Sequence, residues 1–289
     1  MSTERAKYAA LRTVTLPGGE EIPVLGVGTW GMAERPGHRS DEIAALQMAV
    51  DLGMTVIDTA EMYAGGAAEE LVAEALGDRR REIFLVSKVL PQHATRRGTV
   101  SACEASLRRL NTDHLDLYLL HWRGTVPLDE TLAAFDALER QGKTRHWGVS
   151  NFDVDDMEEL ARLAPKADSV VTSDQVLYNL MRRGIEYNLL PWCRSREIPI
   201  MAYSPLEQGR LAKGKMVQAI AKRLDATPAQ VALAWVLRQQ GVAAIAKASH
   251  FEHVRENRGA LEIELTTKDL DELDEAFPPP THKKPLEMI

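Results

Sequence analysis

Residues 56–63, VIDTAEMY, begin as the inside of a buried β-strand and then set Asp58 and Tyr63 five positions apart. Two later runs also finish on a titratable side chain: FLVSK (84–88) ends on Lys88, and LDLYLLH (115–121) ends on His121. These later runs show little strict alternation of apolar and polar residues, the pattern of strands covered on both faces in a parallel sheet.

Outward from these runs the chain alternates strand and helix. GVGTW (26–30) precedes SDEIAALQMAVDLG (40–53), a helix with Ser40 as N-cap and Gly53 as stop. TVIDTA leads to AAEELVAEALG, IFLVSKV to RRGTVSACEASLRRLN, and LDLYLLHW to PLDETLAAFDALERQGK, which Pro127 opens and Gly142 closes. RHWGVSN, VVTSDQVLY, PIMAYSPL and VAAIAKAS continue the series, each with a helical segment behind it, to give eight units. That number suits a closed (β/α)8 barrel, whose usual length is about 250 residues. The rival is a doubly wound open sheet, but GVGTWGM has two close glycines and no G-x-G-x-x-G fingerprint. Ahead of the repeat, RTVTLPGGEEIPVL reads as a β-hairpin turning at Pro17, Gly18 and Gly19. Behind it, TTKDLDELDEAF reads as an amphipathic helix capped by Thr266 or Thr267 and stopped by Pro278 to Pro280. No linker divides the chain, so the expectation is one domain over residues 1–289: an α/β (β/α)8 TIM barrel with an N-terminal β-hairpin and an extra C-terminal helix.

Composition narrows the partners. A content of 45% hydrophobic and 27% charged residues is that of a globular body with a solvated surface. The net charge of -7, with both signs interspersed, argues against nucleic acid or an anionic membrane as partner. Cys103 and Cys193 are isolated from each other, which fits a reducing cytoplasm and not a disulfide framework. The segment MSTERAKYAALRT carries charge without the apolar core of a signal peptide, and no run is long enough to span a bilayer. A cytoplasmic protein is therefore expected, with a monomer as the default because nothing in the sequence sets an oligomeric state.

In a (β/α)8 barrel the C-terminal ends of the strands share one rim, where chemistry is built. The strand ends supply Asp58, Lys88, His121, Ser150 with Asn151, Gln175, Tyr203 with Ser204, and Lys247, and Tyr63 follows on the loop after the second strand. A phenol with a reference pKa of about 10 is a poor acid near neutrality. A neighbouring ammonium would lower that value, and a carboxylate would keep the ammonium charged and oriented. An imidazole donating to the oxygen that the phenol protonates would stabilise charge developing there. Such a set protonates a carbonyl oxygen, and the electrons need a hydride donor, for which a nicotinamide is the natural source. Trp30, Met62 and Trp122, just beyond strand ends, are candidates for an apolar substrate wall, although packing against the rim would look the same in sequence.

IDTAEMY, LVSKV, LDLYLLHW, GVSNF, DQVLYN, MAYSPL and the IAKA and REN segments occur in order, and with them the chain resembles the aldo-keto reductases over nearly its whole length. The resemblance implies a catalytic tetrad of Asp58, Tyr63, Lys88 and His121, with Tyr63 as the acid. It implies that Ser150, Asn151 and Gln175 hold the nicotinamide carboxamide and that Tyr203 stacks on the ring. Ser204 through Leu206 would follow the pyrophosphate, Glu256 and Asn257 would meet the adenine, and Gly28 and Thr29 would join the same cofactor surface. NADPH is the implied cofactor, with NADH possible. IDTAEMY and RGIEYNLLPWC are similar to segments of bacterial methylglyoxal reductases, which implies a small dicarbonyl substrate.

Two departures from the family pattern stand out. Where NADPH-selective members follow the lysine with Ser or Thr and place an arginine six positions on, this chain keeps Lys247 but has Ala248 and His253. Losing a permanently charged fork predicts weaker discrimination against NADH. The stretch from Leu206 to Met216 is short for a clasp over the cofactor, and the tail after Pro280 offers little chain to close over a bulky substrate. Other readings carry less. GRLAKGK (209–215) lacks the hydroxyl residue that a phosphate loop needs next, and His250 with His253 has no third partner for a metal, so none is expected. A cofactor-binding sensor on the same fold is the alternative function. An intact tetrad argues against it.

Overall fold

The computed structural model describes residues 11–164 and 171–289. The first part of the MSTERAKYAALRT segment lies outside the described residues.

The hairpin pairs β1 (Thr13–Thr15) with β2 (Glu21–Pro23) in antiparallel register, Val14 opposite Ile22. Its turn uses Gly18 and Gly19 at φ 97° and 90°, a backbone that glycine adopts without penalty. The barrel follows as β3 (Leu25–Gly28), α1 (Arg39–Asp51), β4 (Val56–Asp58), α2 (Ala67–Leu76), β5 (Phe84–Val89), α3 (Arg96–Leu110), β6 (Leu115–Leu120) and α4 (Leu128–Arg140). It continues through β7 (Thr144–Ser150), α5 (Val154–Leu163), β8 (Asp174–Leu177), α6 (Leu189–Arg194), β9 (Ile200–Tyr203), α7 (Lys215–Arg223), α8 (Pro228–Leu237), β10 (Val242–Lys247) and α9 (Phe251–Gly259). β3 to β10 form a closed barrel in which β10 returns to pair with β3, every pairing parallel. α10 (Thr267–Ala276) lies outside the repeat.

Burial explains the strand sequences. Every residue of β5 and of β6 is buried, because one face meets the barrel interior and the other the helices. Close packing decides Gly148 in β7, where a Cβ would meet the Ser173 carbonyl oxygen at 2.6 Å. Helix starts follow local chemistry: Asp153 with Asp156, Thr227 with Gln230, and Thr266 with Asp269 each form reciprocal caps on α5, α8 and α10. Ser40 is different from the sequence expectation. A 3-10 turn over Pro36–His38 runs directly into α1, so Ser40 falls inside the first helical turn and His38 takes the N-cap position without a side-chain bond.

The hairpin lies across the N-terminal end of the barrel. Glu20 there takes two bonds from Arg145 at 2.9 Å and one from His146 at 2.7 Å, both near the start of β7. Asp116, near the start of β6, accepts from the Leu85 backbone N–H, Arg80 and Arg145, all at 2.8 Å. Among the described residues no helix is long and apolar enough to cross a membrane.

Candidate active site

At the opposite end, residues at or just beyond the C-terminal ends of β4, β5 and β6 converge: Asp58 and His121 line one hollow, and Lys88 lies buried beside Asp58. Lys88 is fully buried, and its Nζ donates to both Asp58 carboxylate oxygens at 2.8 Å, to the Thr59 carbonyl at 2.9 Å and to the Tyr63 hydroxyl at 3.2 Å. Gln175, on β8, donates its amide to Asp58 Oδ1 at 2.8 Å from across the barrel. Tyr63 opens a short turn after β4, and its ring meets that of His121 edge-on at 5.8 Å. The turn bends through Ala64 in the left-handed region, φ 49°, which carries Tyr63 back over the strand ends. All four residues expected from the sequence are thus within one cluster.

Electrostatics refines one expectation. The ammonium lowers the Tyr63 pKa as expected, but burial outweighs it and the Asp58 carboxylate adds to the rise, so the phenol is held above its ordinary value. Burial alone would push Lys88 down, but Asp58 and then Tyr63 outweigh it and hold the ammonium above the ordinary lysine range. His121 is pushed down to about 2 by burial, with the Lys88 charge adding to it. At neutral pH the site therefore contains a neutral phenol, a neutral imidazole and a compensated ion pair. The Nδ1 atom of His121 is buried without a hydrogen-bond partner among the described residues, while the ring lines the hollow.

The hollow has a volume of about 180 Å³. Trp30, Met62 and Trp122 all line it, and Trp30 and Met62 are 51% and 41% exposed, so these side chains form wall and not core. Gly28, Ser150, Asn151, Gln175, Tyr203, Ser204 and Lys247 line it as well. Asn151 sits at φ 59°, donates to the His121 carbonyl at 3.1 Å and accepts from the Tyr203 hydroxyl at 2.9 Å, tying three rim loops together. Thr29 is the exception among the expected cofactor residues. It is fully buried, faces neither wall, and donates to the Asp58 carbonyl at 3.1 Å, supporting the strand end instead.

A second hollow adjoins the first through Trp30, Ser204, Gln208 and Lys247, which line both. Leu206, His253, Glu256 and Asn257 lie along it. Two features suit an elongated phosphate-bearing ligand. Asn257 is 3% exposed, and its side-chain nitrogen has no hydrogen-bond partner among the described residues. The Lys247 ammonium is bonded only to the Gly31 carbonyl at 3.2 Å, so its charge meets no carboxylate among the described residues. Among the described residues no group of three or more His, Cys, Asp or Glu side chains is arranged to hold a metal ion.

The aldo/keto reductase family model matches residues 24–277, the whole barrel and the final helix. The chain belongs to the aldo/keto reductase family. It is 50% identical to methylglyoxal reductase YeaE of Escherichia coli strain K12 over 283 residues, 96% of this chain and 99% of that protein. It is 34% identical to a glyoxal reductase of Bacillus subtilis strain 168, covering 91% of each. An aldo/keto reductase of Klebsiella pneumoniae, solved in complex with NADP and acetate, superposes with a TM-score of 0.93 at 48% identity, covering 97% of this chain and 100% of that one.

Within this aldo/keto reductase four wall residues escaped the sequence reading: Gln208, Ile245, Met288 and Ile289. The tail after Pro280 is short, as the sequence indicates, yet its last residues, Met288 and Ile289, form part of the pocket wall. No periodicity or motif marks a tail whose course is set by two ion pairs, Lys283 with Asp155 at 2.9 Å and Glu287 with Arg182 at 2.6 Å. The short stretch after Leu206 folds as two 3-10 turns, Glu207–Gly209 and Leu211–Lys213, and the second takes in part of the GRLAKGK run.

Proposed function

We propose that this chain reduces small aldehydes and ketones, with dicarbonyls such as methylglyoxal as the preferred class, using NADPH in the cytoplasm as one (β/α)8 domain. The observation that supports it most is the Lys88 ammonium bonded at once to Asp58 and to the Tyr63 hydroxyl at the floor of a pocket that a carbonyl compound can enter. The relatives named for methylglyoxal and glyoxal reduction support the substrate class.

When bound, a reduced nicotinamide supplies the hydride, chemistry that no side chain offers. Tyr63, neutral because burial raises its pKa, donates its proton to the carbonyl oxygen. The phenolate left behind is stabilised by the adjacent Lys88 ammonium, which Asp58 keeps charged and aimed. Neutral His121 donates from its pocket edge to the same oxygen and fixes the substrate's orientation, with no charge of its own to displace. Ser150, Asn151, Gln175 and Tyr203 would hold the nicotinamide end. Ser204, Leu206, Lys247, His253, Glu256 and Asn257 would hold the phosphates and adenosine, with the Lys247 ammonium favouring NADPH and His253 giving a softer preference than an arginine would.

Following the loss of reduced-nicotinamide absorbance over a panel of carbonyl compounds tests this reading. Methylglyoxal should be turned over with NADPH more efficiently than with NADH. A protein that binds NADPH yet oxidises it with no aldehyde or ketone would be a sensor, and the reductase reading would fall.

A further inference from the structure

Arg182, on the loop after β8, holds two separate segments with one guanidinium. Its Nε and Nη2 atoms both donate to Glu207 Oε1 at 3.1 Å, and its Nη1 donates to Glu287 Oε1 at 2.6 Å. Glu207 is fully buried at φ 49° and also accepts from Arg210 at 2.7 Å and from Asn179 at 2.7 Å. A buried carboxylate so surrounded fixes the guanidinium plane, because losing a partner would leave an uncompensated buried charge. The free edge of Arg182 is therefore presented to Glu287 at a set position. On one side of this clamp, Leu206, Gln208 and Gly209, the neighbours of Glu207, form the wall of the elongated groove. On the other, Met288 and Ile289, the neighbours of Glu287, wall the pocket that contains Tyr63 and His121. Lys283 with Asp155 and the packing of Leu286 hold the rest of the tail.

We propose that Arg182 is a positioning residue that couples the two walls: it locks the tail against the pocket, so that only small carbonyl compounds fit, and it ties that lock to ligand in the groove. This inference rests on the reductase reading for its substrate and on the Glu207–Arg182–Glu287 contacts for its mechanism. A ligand that rigidifies the loop around Glu207 firms the clamp, and by reciprocity a firm tail favours the filled groove.

The test uses Glu287→Gln, which removes the tail's charge and leaves Arg182 on Glu207. In the parent protein, saturating NADP+ should slow carboxypeptidase release of Ile289 and Met288 at least about fivefold, the low end of ordinary coupling between sites. In the glutamine variant that protection should largely vanish. Its preference should also shift, with kcat/KM for a bulky aromatic aldehyde rising severalfold relative to methylglyoxal, and through KM more than kcat. A variant with the parent's size preference and the parent's protection by NADP+ would overturn the clamp. Loss of turnover with every carbonyl, while NADP+ still protects the tail of the parent but not of the variant, would remove the reductase reading and leave the clamp standing.

Discussion

At the N-terminal end of the barrel Asp116 receives three donors at 2.8 Å and Glu20 joins the hairpin to Arg145 and His146. At the C-terminal end His121 Nδ1 and the Asn257 amide nitrogen are buried with no partner among the described residues, and Ala64, Asn151, Ser204, Glu207 and Gln208 all hold left-handed backbone angles. Non-glycine residues in that region each cost about 1–3 kcal/mol and persist only where surrounding structure imposes them. The charged groups of the first end hold the fold together, whereas beside the hollows polar groups and strained backbone stand where a ligand can use them.

The contrast is sharpest at Lys88. Lys88→Met leaves Asp58 buried without its counter-charge and Tyr63 without its ammonium, so kcat/KM should fall roughly 10²–10⁴-fold and stability by about 3–5 kcal/mol. Steady-state rates and denaturant melts on the same preparation would show both. At the other end Asp116→Asn should lower stability by about 3 kcal/mol through its two arginines, yet leave kcat per folded molecule unchanged. A loss of turnover there would mean that the two ends are not independent.

Asp174, the first residue of β8, belongs to neither end. It is fully buried, its carboxylate oxygens have no hydrogen-bond partner at ordinary reach among the described residues, and burial pushes it well above the carboxylate range despite the pull of the Phe152 backbone. A carboxyl whose folded pKa is raised contributes stability that is fully present below its unfolded pKa and is lost as pH rises through the folded value. Asp174→Asn should therefore stabilise the protein by about 1–3 kcal/mol at pH 7, with the gain shrinking toward pH 4 in urea melts run across pH. A gain independent of pH would mean that Asp174 does not hold its proton. The smallest effect concerns strain outside the site. Exposed Glu197, between α6 and β9, sits at φ 56°, and Glu197→Gly should raise stability by about 1 kcal/mol without altering kinetics.

Much of this was legible in the sequence because it is periodic or ends an element. Strand-helix alternation indicates the barrel, and the residues near the strand ends, Asp58, Lys88, His121, Asn151, Gln175 and Tyr203, mark the rim. What was not legible depends on depth or on long-range closure. The direction of the Tyr63 shift follows from how thoroughly the phenol is buried, which no spacing reports. Thr29 lies one residue past a strand end, and only the side chain's orientation decides that it bonds the Asp58 backbone and lines no wall. The tail reaches the pocket because Arg182 and Asp155, more than a hundred residues earlier, hold it there.

The central claim is that the Tyr63 hydroxyl, held on Lys88 beside His121, is the proton donor of a hydride-transfer site. Single-turnover mixing of the NADPH complex with methylglyoxal, for the parent and for Tyr63→Phe, measures it most directly, with NADPH affinity read separately by fluorescence titration. The phenylalanine variant should bind NADPH with the parent's affinity and oxidise it roughly 10²–10⁴-fold more slowly. Equal single-turnover rates in the two proteins would contradict the claim.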